Sequence, residues 1–235
     1  MIKTLNTGTA ALLAVMGLSL LLTGCSSTGG QQGRAAFVAN FPKFDFRRHQ
    51  SPTNFKAQYA ALVDDGFELP RIPVEKMDER YLRQRVAYET REKPGTIIVD
   101  VSNRFLYLVE QGGTAMRYGV GVGRQGFEWS GTAYIGWKQK WPRWTPPDTM
   151  IARKPELVKY SAENGGMDPG VGNPLGARAL YLFQDGKDTL YRLHGTPEWN
   201  SIGTAASSGC VRLMNQDIID LYDRVQGSAR VIVKQ

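Results

Sequence analysis

Two residues of this chain have the types and spacing for nucleophilic chemistry, Cys210 and His194. The sequence contains two cysteines and two histidines, and one of each falls in the stretch His194–Leu213. They stand 16 positions apart (210 minus 194), separated by small and turn-forming residues. A thiol, an imidazole and a glycine-rich backbone are the parts of an acyl-transfer site. A free thiol with a pKa near 8.5 is mostly protonated at neutral pH, and a neighbouring imidazolium lowers that value, so the pairing predicts a Cys210 thiolate beside His194. Gly209 and its neighbours leave room for backbone N–H groups to face a developing oxyanion, worth roughly 3–4 kcal/mol per donor. Arg212 can hold a substrate carboxylate in bidentate fashion or form a structural ion pair. Ser207 and Ser208 either donate to substrate or shape the loop. His49, flanked by Arg48 and Gln50, reads as a surface histidine.

Such groups need a rigid scaffold, and the chain from Pro94-Gly95 onward reads as one. Thr96–Val101, Arg104–Val109, Ala115–Gly121 and Gly131–Lys138 are short β-branched or aromatic runs. Ser102-Asn103 and Glu110–Gly113 are turn signals between them. Arg178–Phe183 and Thr189–His194 flank Gln184–Lys187 as a hairpin, and Arg230–Val233 closes the series. This pattern predicts a mainly β fold, an antiparallel sandwich or barrel-like sheet. Asn215–Val225 is the best helix: Asn215 as cap, Ile218, Ile219, Tyr222 and Val225 as an apolar stripe, Gly227 as stop. The content of 26 glycines and 12 prolines among 235 residues also favours β structure over helix bundles. A net charge of +7 without a Lys/Arg-rich run fits solubility charge or an anionic polymer or lipid surface, and gives no reason to expect nucleic acid.

The N-terminal region divides at three points. Lys3 precedes the apolar run 10–22, too short for a comfortable membrane span, and Leu22-Thr23-Gly24-Cys25 then resembles a bacterial lipobox. Residues 1–24 are therefore expected to be a lipoprotein signal peptide, and Cys25 the lipidated first residue of an exported protein. The competing readings are an ordinary secretory signal or a membrane anchor. Ser26, where an aspartate would stand otherwise, resembles sorting to the outer membrane of a Gram-negative cell, with the protein on its periplasmic face. Lipidation of Cys25 would leave Cys210 as the one exported thiol, in a compartment that favours disulfides. Residues 25–35 read as lipidated cysteine and tether. Residues 36–94 read as an arm wrapping the main domain, with Phe37, Phe41, Phe44 and Phe46 available for packing and short helices over Phe55–Val63 and Met77–Val86.

The residues in hand carry a resemblance. His194-Gly195-Thr196 followed by Ser207-Ser208-Gly209-Cys210-Val211-Arg212-Leu213 resembles the catalytic signature of the L,D-transpeptidase (YkuD) family. The likeness continues through Arg104–Leu108, Arg117–Gly123, Trp141–Pro147 and Asn173–Tyr181, so it covers about residues 95–235, the expected catalytic domain. One departure stands out. Many members carry a second histidine two places before the cysteine, where this chain has Ser208, and His194 is the sole histidine after residue 49.

The resemblance implies a peptidoglycan cysteine acyltransferase with no cofactor and no metal. Cys210 would attack the carbonyl of the third stem-peptide residue, releasing the terminal D-alanine and leaving a thioester. His194 would shuttle the proton, with the Gly195 carbonyl accepting from its ring. The acceptor amine would be a diaminopimelate side chain (a 3→3 cross-link), an outer-membrane protein or a free D-amino acid, and carbapenem-type β-lactams would acylate Cys210. Trp144, with Trp141 and Pro146-Pro147, is expected either to bind substrate as part of a water-excluding lid or to pack a loop onto the sheet. Two other functions compete: a hydrolase on the same fold, where water replaces the amine, and a non-catalytic wall-binding lipoprotein.

Overall fold

Alternation of apolar and polar residues from Leu62 onward produces strands wherever one face can be buried. The computed structural model describes residues 53–123, 130–206 and 211–235, all within one unit, Asp45–Gln235. A small antiparallel hairpin comes first, β1 (Leu62–Asp64) and β2 (Phe67–Leu69). It turns through Asp65 and Gly66, both at positive φ (47° and 85°), the tight turn that Asp-Gly favours.

The other strands described form one sheet: β3 (Gln84–Ala87), β4 (Ile97–Asp100), β5 (Phe105–Val109), β6 (Thr114–Gly119), β7 (Gly121–Gly123), β8 (Gly131–Lys140), β9 (Arg178–Gln184), β10 (Lys187–Thr196), β11 (Ala205–Ala206), β12 (Val211–Met214) and β13 (Arg230–Lys234). Their order is β11-β7-β12-β10-β9-β8-β13-β4-β5-β6-β3. The mainly β expectation holds, and the pairing is mixed: β10 with β12, β13 with β4 and β11 with β7 run parallel. A single apolar cluster draws side chains from both halves of the sheet, Val99, Leu106 and Tyr118 with Leu180, Leu193 and Leu213, so the sheet curves around one core. Burial of this kind is worth about 25 cal/mol per Å² of apolar surface. The helix α3 (Asn215–Arg224) lays Ile218 and Leu221 into the same core. The shorter helices are α1 (Phe55–Gln58) and α2 (Asp148–Arg153). Among the described residues no helix is long and apolar enough to cross a membrane.

Three local expectations are corrected. Met77–Val86 is not a helix; it holds a 3-10 turn, Glu79–Tyr81, and then joins the sheet as edge strand β3 on β6. Phe55–Val63 is helical only through Gln58, and its end becomes β1. Asn215 does not cap α3; that place falls to Met214, and the Asn215 Oδ1 instead accepts from the Ala177 amide at 2.9 Å. The buried Ala177 donor has no ladder partner, and an unpaired buried N–H costs about 1–3 kcal/mol.

Residues 53–93 are knitted into the domain by charge as well as packing. Arg178, at the start of β9, is 1% exposed. Its guanidinium is met by Asp64 through two hydrogen bonds, 2.7 and 2.8 Å, and the same carboxylate accepts from the Trp141 indole at 2.7 Å. A buried arginine without that partner would leave an uncompensated charge. Tyr81 lies against Gly119 and Gly203, where any added Cβ would collide with it. The segment thereby backs the turn Trp199–Ser201, with Ile202 and Met214 in its apolar cluster. Phe37, Phe41, Phe44, Phe46 and His49 lie outside the described residues, as do the expected signal peptide, Cys25 and the tether.

Candidate active site

β10 ends in Leu193-His194-Gly195-Thr196, four consecutive buried residues. β10 lies inside the sheet, its backbone paired with parallel β12 along one edge and antiparallel β9 along the other: His194 stands in register with Arg212 on β12 and Ala179 on β9. β12 starts at Val211, opposite Leu193. Cys210 directly precedes Val211 in the chain. Cys210 itself, with Ser207, Ser208 and Gly209, lies outside the described residues.

His194 is 5% exposed, and its Nδ1 lies 2.7 Å from the Gly195 carbonyl oxygen. A carbonyl oxygen only accepts, so Nδ1 carries the hydrogen and Nε2 keeps its lone pair. Burial pushes the imidazole down to about 4; the Gly195 hydrogen bond opposes this, and the positive charges of Arg212 and Arg192 reinforce it. The ring is therefore neutral at neutral pH. This runs against the expected thiolate–imidazolium pair: these surroundings disfavour a standing imidazolium and favour an Nε2 free to take a proton.

The Gly195 carbonyl is itself fixed from behind. A Cβ at Gly195 would collide with Asn215 Oδ1, and one at Gly176 (φ 61°) would meet both that oxygen and the Gly195 backbone. Three short residues from three elements thus close on one another, and the peptide that orients His194 has no room to rotate. Thr196 Oγ1 accepts from the Glu198 amide at 3.1 Å, shaping the turn after the strand. Glu198 then accepts from Arg212 Nη1 at 2.9 Å. Arg212 is thereby held in the ion pair that was one of its two expected roles, with its side chain 14% exposed.

The tryptophans divide. Trp141 is core, 6% exposed, packed at a tilt on Phe67 with ring centroids 4.1 Å apart and hydrogen-bonded to Asp64, so it packs its loop onto the sheet and belongs to no lid. Trp144 is half-buried in a segment folded back on itself. Its amide and carbonyl pair with Met167, and Asn173 Nδ2 donates to the carbonyls of Pro142, Met167 and Asp168. Asn215, Gly176 and Glu198 were missed as site residues, although Gly176 lies inside the Asn173–Tyr181 stretch that carried the family likeness and Glu198 inside His194–Leu213. Among the described residues no group of three or more His, Cys, Asp or Glu side chains is placed to hold a metal.

Comparison with known proteins gives a consistent result. The family model for the YkuD L,D-transpeptidase catalytic domain matches residues 94–233. "Probable L,D-transpeptidase ErfK/SrfK" of Escherichia coli K12 is 34% identical over 140 residues, 57% of this chain and 42% of that protein. "Probable L,D-transpeptidase YbiS" of the same strain is 32% identical over 145 residues, 58% of this chain and 43% of that protein. The chain thus spans less than half the length of these curated relatives. A crystal structure described as a probable carnitine operon oxidoreductase caia from Brucella melitensis is 50% identical, covering 66% of this chain and 94% of its own, with a TM-score of 0.47. That score is too low for a structural argument, and the activity in that description stays with that protein.

Proposed function

Because the chain belongs to the YkuD family of L,D-transpeptidase catalytic domains, we propose that it is a peptidoglycan L,D-transpeptidase working as a cysteine acyltransferase, with Cys210 as nucleophile and His194 as base. The observation that carries this reading is the 2.7 Å contact between His194 Nδ1 and the Gly195 carbonyl, which leaves a neutral ring with its Nε2 lone pair available. As the Cys210 thiol attacks the carbonyl of the third stem-peptide residue, its proton passes to Nε2. The Sγ–C bond forms, and the carbonyl oxygen takes the negative charge. Collapse breaks the C–N bond to the terminal D-alanine, whose amine leaves with the proton from Nε2. An acceptor amine then attacks the thioester, gives its proton to Nε2, and expels the Cys210 sulfur, which recovers that proton.

The acceptor is a diaminopimelate amine, an outer-membrane protein amine or a free D-amino acid. Ser207, Ser208 and Gly209 line the reacting carbonyl in this reading, and Arg212, steadied by Glu198, presents positive charge toward a substrate carboxylate. The apo pairing with Glu198 does not prevent that role, because Glu198 is largely exposed and its pair with Arg212 can be exchanged. The protein acts from the periplasmic face of the outer membrane, tethered through lipid on Cys25. The test is incubation of the full chain with purified tetrapeptide muropeptides and mass spectrometry of the products. Dimers lacking one D-alanine support transfer, monomeric tripeptide alone replaces it with hydrolysis, and products equal to those of Cys210→Ala contradict both. Palmitate labelling tests the anchor: a Cys25→Ser protein that labels and localises like wild type contradicts it.

A further inference from the structure

The sheet face that carries His194 continues into a row of side chains with no part in the reaction just described. Tyr181 on β9 is the register partner of both Trp137 on β8 and Arg192 on β10, so the three side chains stand on one face of three adjacent strands. Trp137 stacks on Tyr181 with ring centroids 4.5 Å apart at 26°, and the Arg192 guanidinium lies 4.3 Å over the Tyr181 ring. Arg192 is pinned there by Asp188, through hydrogen bonds of 2.6 and 2.7 Å. The same carboxylate accepts from the Leu190 amide at 2.8 Å, holding Leu190 at a φ of 64° within the bulge of β10. A positive φ is unfavourable for leucine, and such conformations persist where the surroundings over-determine them. Trp137 is nonetheless 54% exposed and Leu190 76%. A stacked, braced indole that still faces solvent is a platform.

Arg192 and His194 are two residues apart on one strand and so share a face, and the Arg192 charge is felt at the imidazole. Two residues along a strand and two strands across place Trp137 roughly 12 Å from His194, at ~3.4 Å per residue and ~4.8 Å per strand. We infer that Trp137, braced by Tyr181 and Arg192, is a subsite for a pyranose ring of the glycan strand to which the reacting stem peptide is attached. The inference rests on the proposed peptidoglycan reaction. The carbonyl attacked is on the third residue from the sugar, and three extended residues span about 10–11 Å, so a peptide held at His194 brings its sugar to Trp137. The C–H hydrogens on a pyranose face carry partial positive charge and meet the negative face of an indole, while the hydroxyls at the ring edge stay in water. A bare aliphatic partner would gain nothing from this arrangement over any apolar patch.

Two measurements on the full chain decide the matter. In the first, transpeptidation is followed with a disaccharide-tetrapeptide and with the free tetrapeptide. Wild type is expected to show a KM about 5- to 10-fold lower for the disaccharide form, Trp137→Ala to lose that advantage, Trp137→Phe to restore most of it, and Val63→Ser, on the exposed hairpin β1–β2, to match wild type. Equal KM values for the two substrates in wild type, or an undiminished advantage in Trp137→Ala, overturn the inference. In the second, a β-1,4-linked N-acetylglucosamine tetramer is titrated while the indole N–H resonance of Trp137 is followed, with no turnover needed. A saturable shift supports the subsite and its absence at millimolar sugar overturns it. Absence of turnover on both substrates counts against the proposed reaction, and the titration then judges the sugar site on its own.

Discussion

β10 is one strand with two halves. From Leu193 to Thr196 every residue is buried, paired in parallel with β12 and backed by Asn215 and Gly176. From Lys187 to Arg192 the strand is bulged, largely exposed and crossed by aromatic and cationic side chains. The first half holds an imidazole in one tautomer at one orientation, which general-base chemistry needs. The second half offers surface, which recognition of a long polymer needs. The two halves meet at Arg192 and Leu193, so the proposed chemistry and the proposed recognition lie side by side on one strand, with the irregularity of β10 inside the second half.

The sharpest way to break that contrast is to remove the imidazole. His194→Gln fills similar space but has no base of comparable strength, and the acylation rate is expected to fall by about 10²–10⁴-fold with little change in KM. A loss confined to KM would mean that the buried half does not do the chemistry. Gly195→Ala is expected next in size. Its Cβ would collide with Asn215 Oδ1 and press on Ile218, an overpacking that costs about 1–3 kcal/mol. A melting temperature lower by roughly 3–10 °C, with a further rate loss as the carbonyl shifts away from Nδ1, would be the signature. Trp137→Ala should behave in the opposite way, altering KM for sugar-bearing substrate while moving the melting temperature by about 2 °C or less, because the site is exposed.

β4, β5, β6, β8, β9, β10 and β13 are legible in the sequence because β-branched and aromatic runs alternate with turn residues, whereas β11 and β12, inside the motif stretch, do not read as strands. His194 and Gly195 are legible because the His-Gly-Thr motif sits at the end of such a run. β7 is not, since Gly-Val-Gly shows no alternation and becomes a strand only through β12 and β11 on either side. β3 was hidden by its polar edge position. Asn215 had every local reason to cap α3, and tertiary structure recruited it to Ala177 instead. Trp141 could be read as part of a lid or as an aromatic packing its loop onto the sheet, and the second is what the structure has; its Asp64 partner lies 77 residues away, beyond any local pattern.

Acid sharpens the comparison further. His194 titrates near 6.5 when unfolded and at about 4 when folded, so the unfolded chain binds more protons between those values and stability falls on acidification from 6.5 to 4. Asp217 has the opposite sign. Burial raises it to about 7, against the pull of Arg83 and the Tyr59 hydroxyl, so the folded chain holds a proton that the unfolded chain releases near 3.8. Its contribution is full below 3.8 and lost as pH rises through 7. The two offset each other between pH 4 and 6.5. Asp217→Asn removes the second, and its melting temperature is expected to fall more steeply than that of wild type from pH 6.5 to 4. Parallel curves would mean that the Asp217 carboxyl is not raised by its burial and adds nothing to the pH dependence.

The central claim is that His194, neutral and oriented by the Gly195 carbonyl, activates Cys210. It is tested most directly by quenching the full chain within seconds of mixing with disaccharide-tetrapeptide and measuring the intact mass. Wild type should gain the mass of the substrate less D-alanine, mapped by digestion to Cys210, and His194→Gln should gain it at least a hundredfold more slowly, within the span expected for loss of a general base. An adduct that forms at the wild-type rate in His194→Gln, or one that maps away from Cys210, would contradict the account.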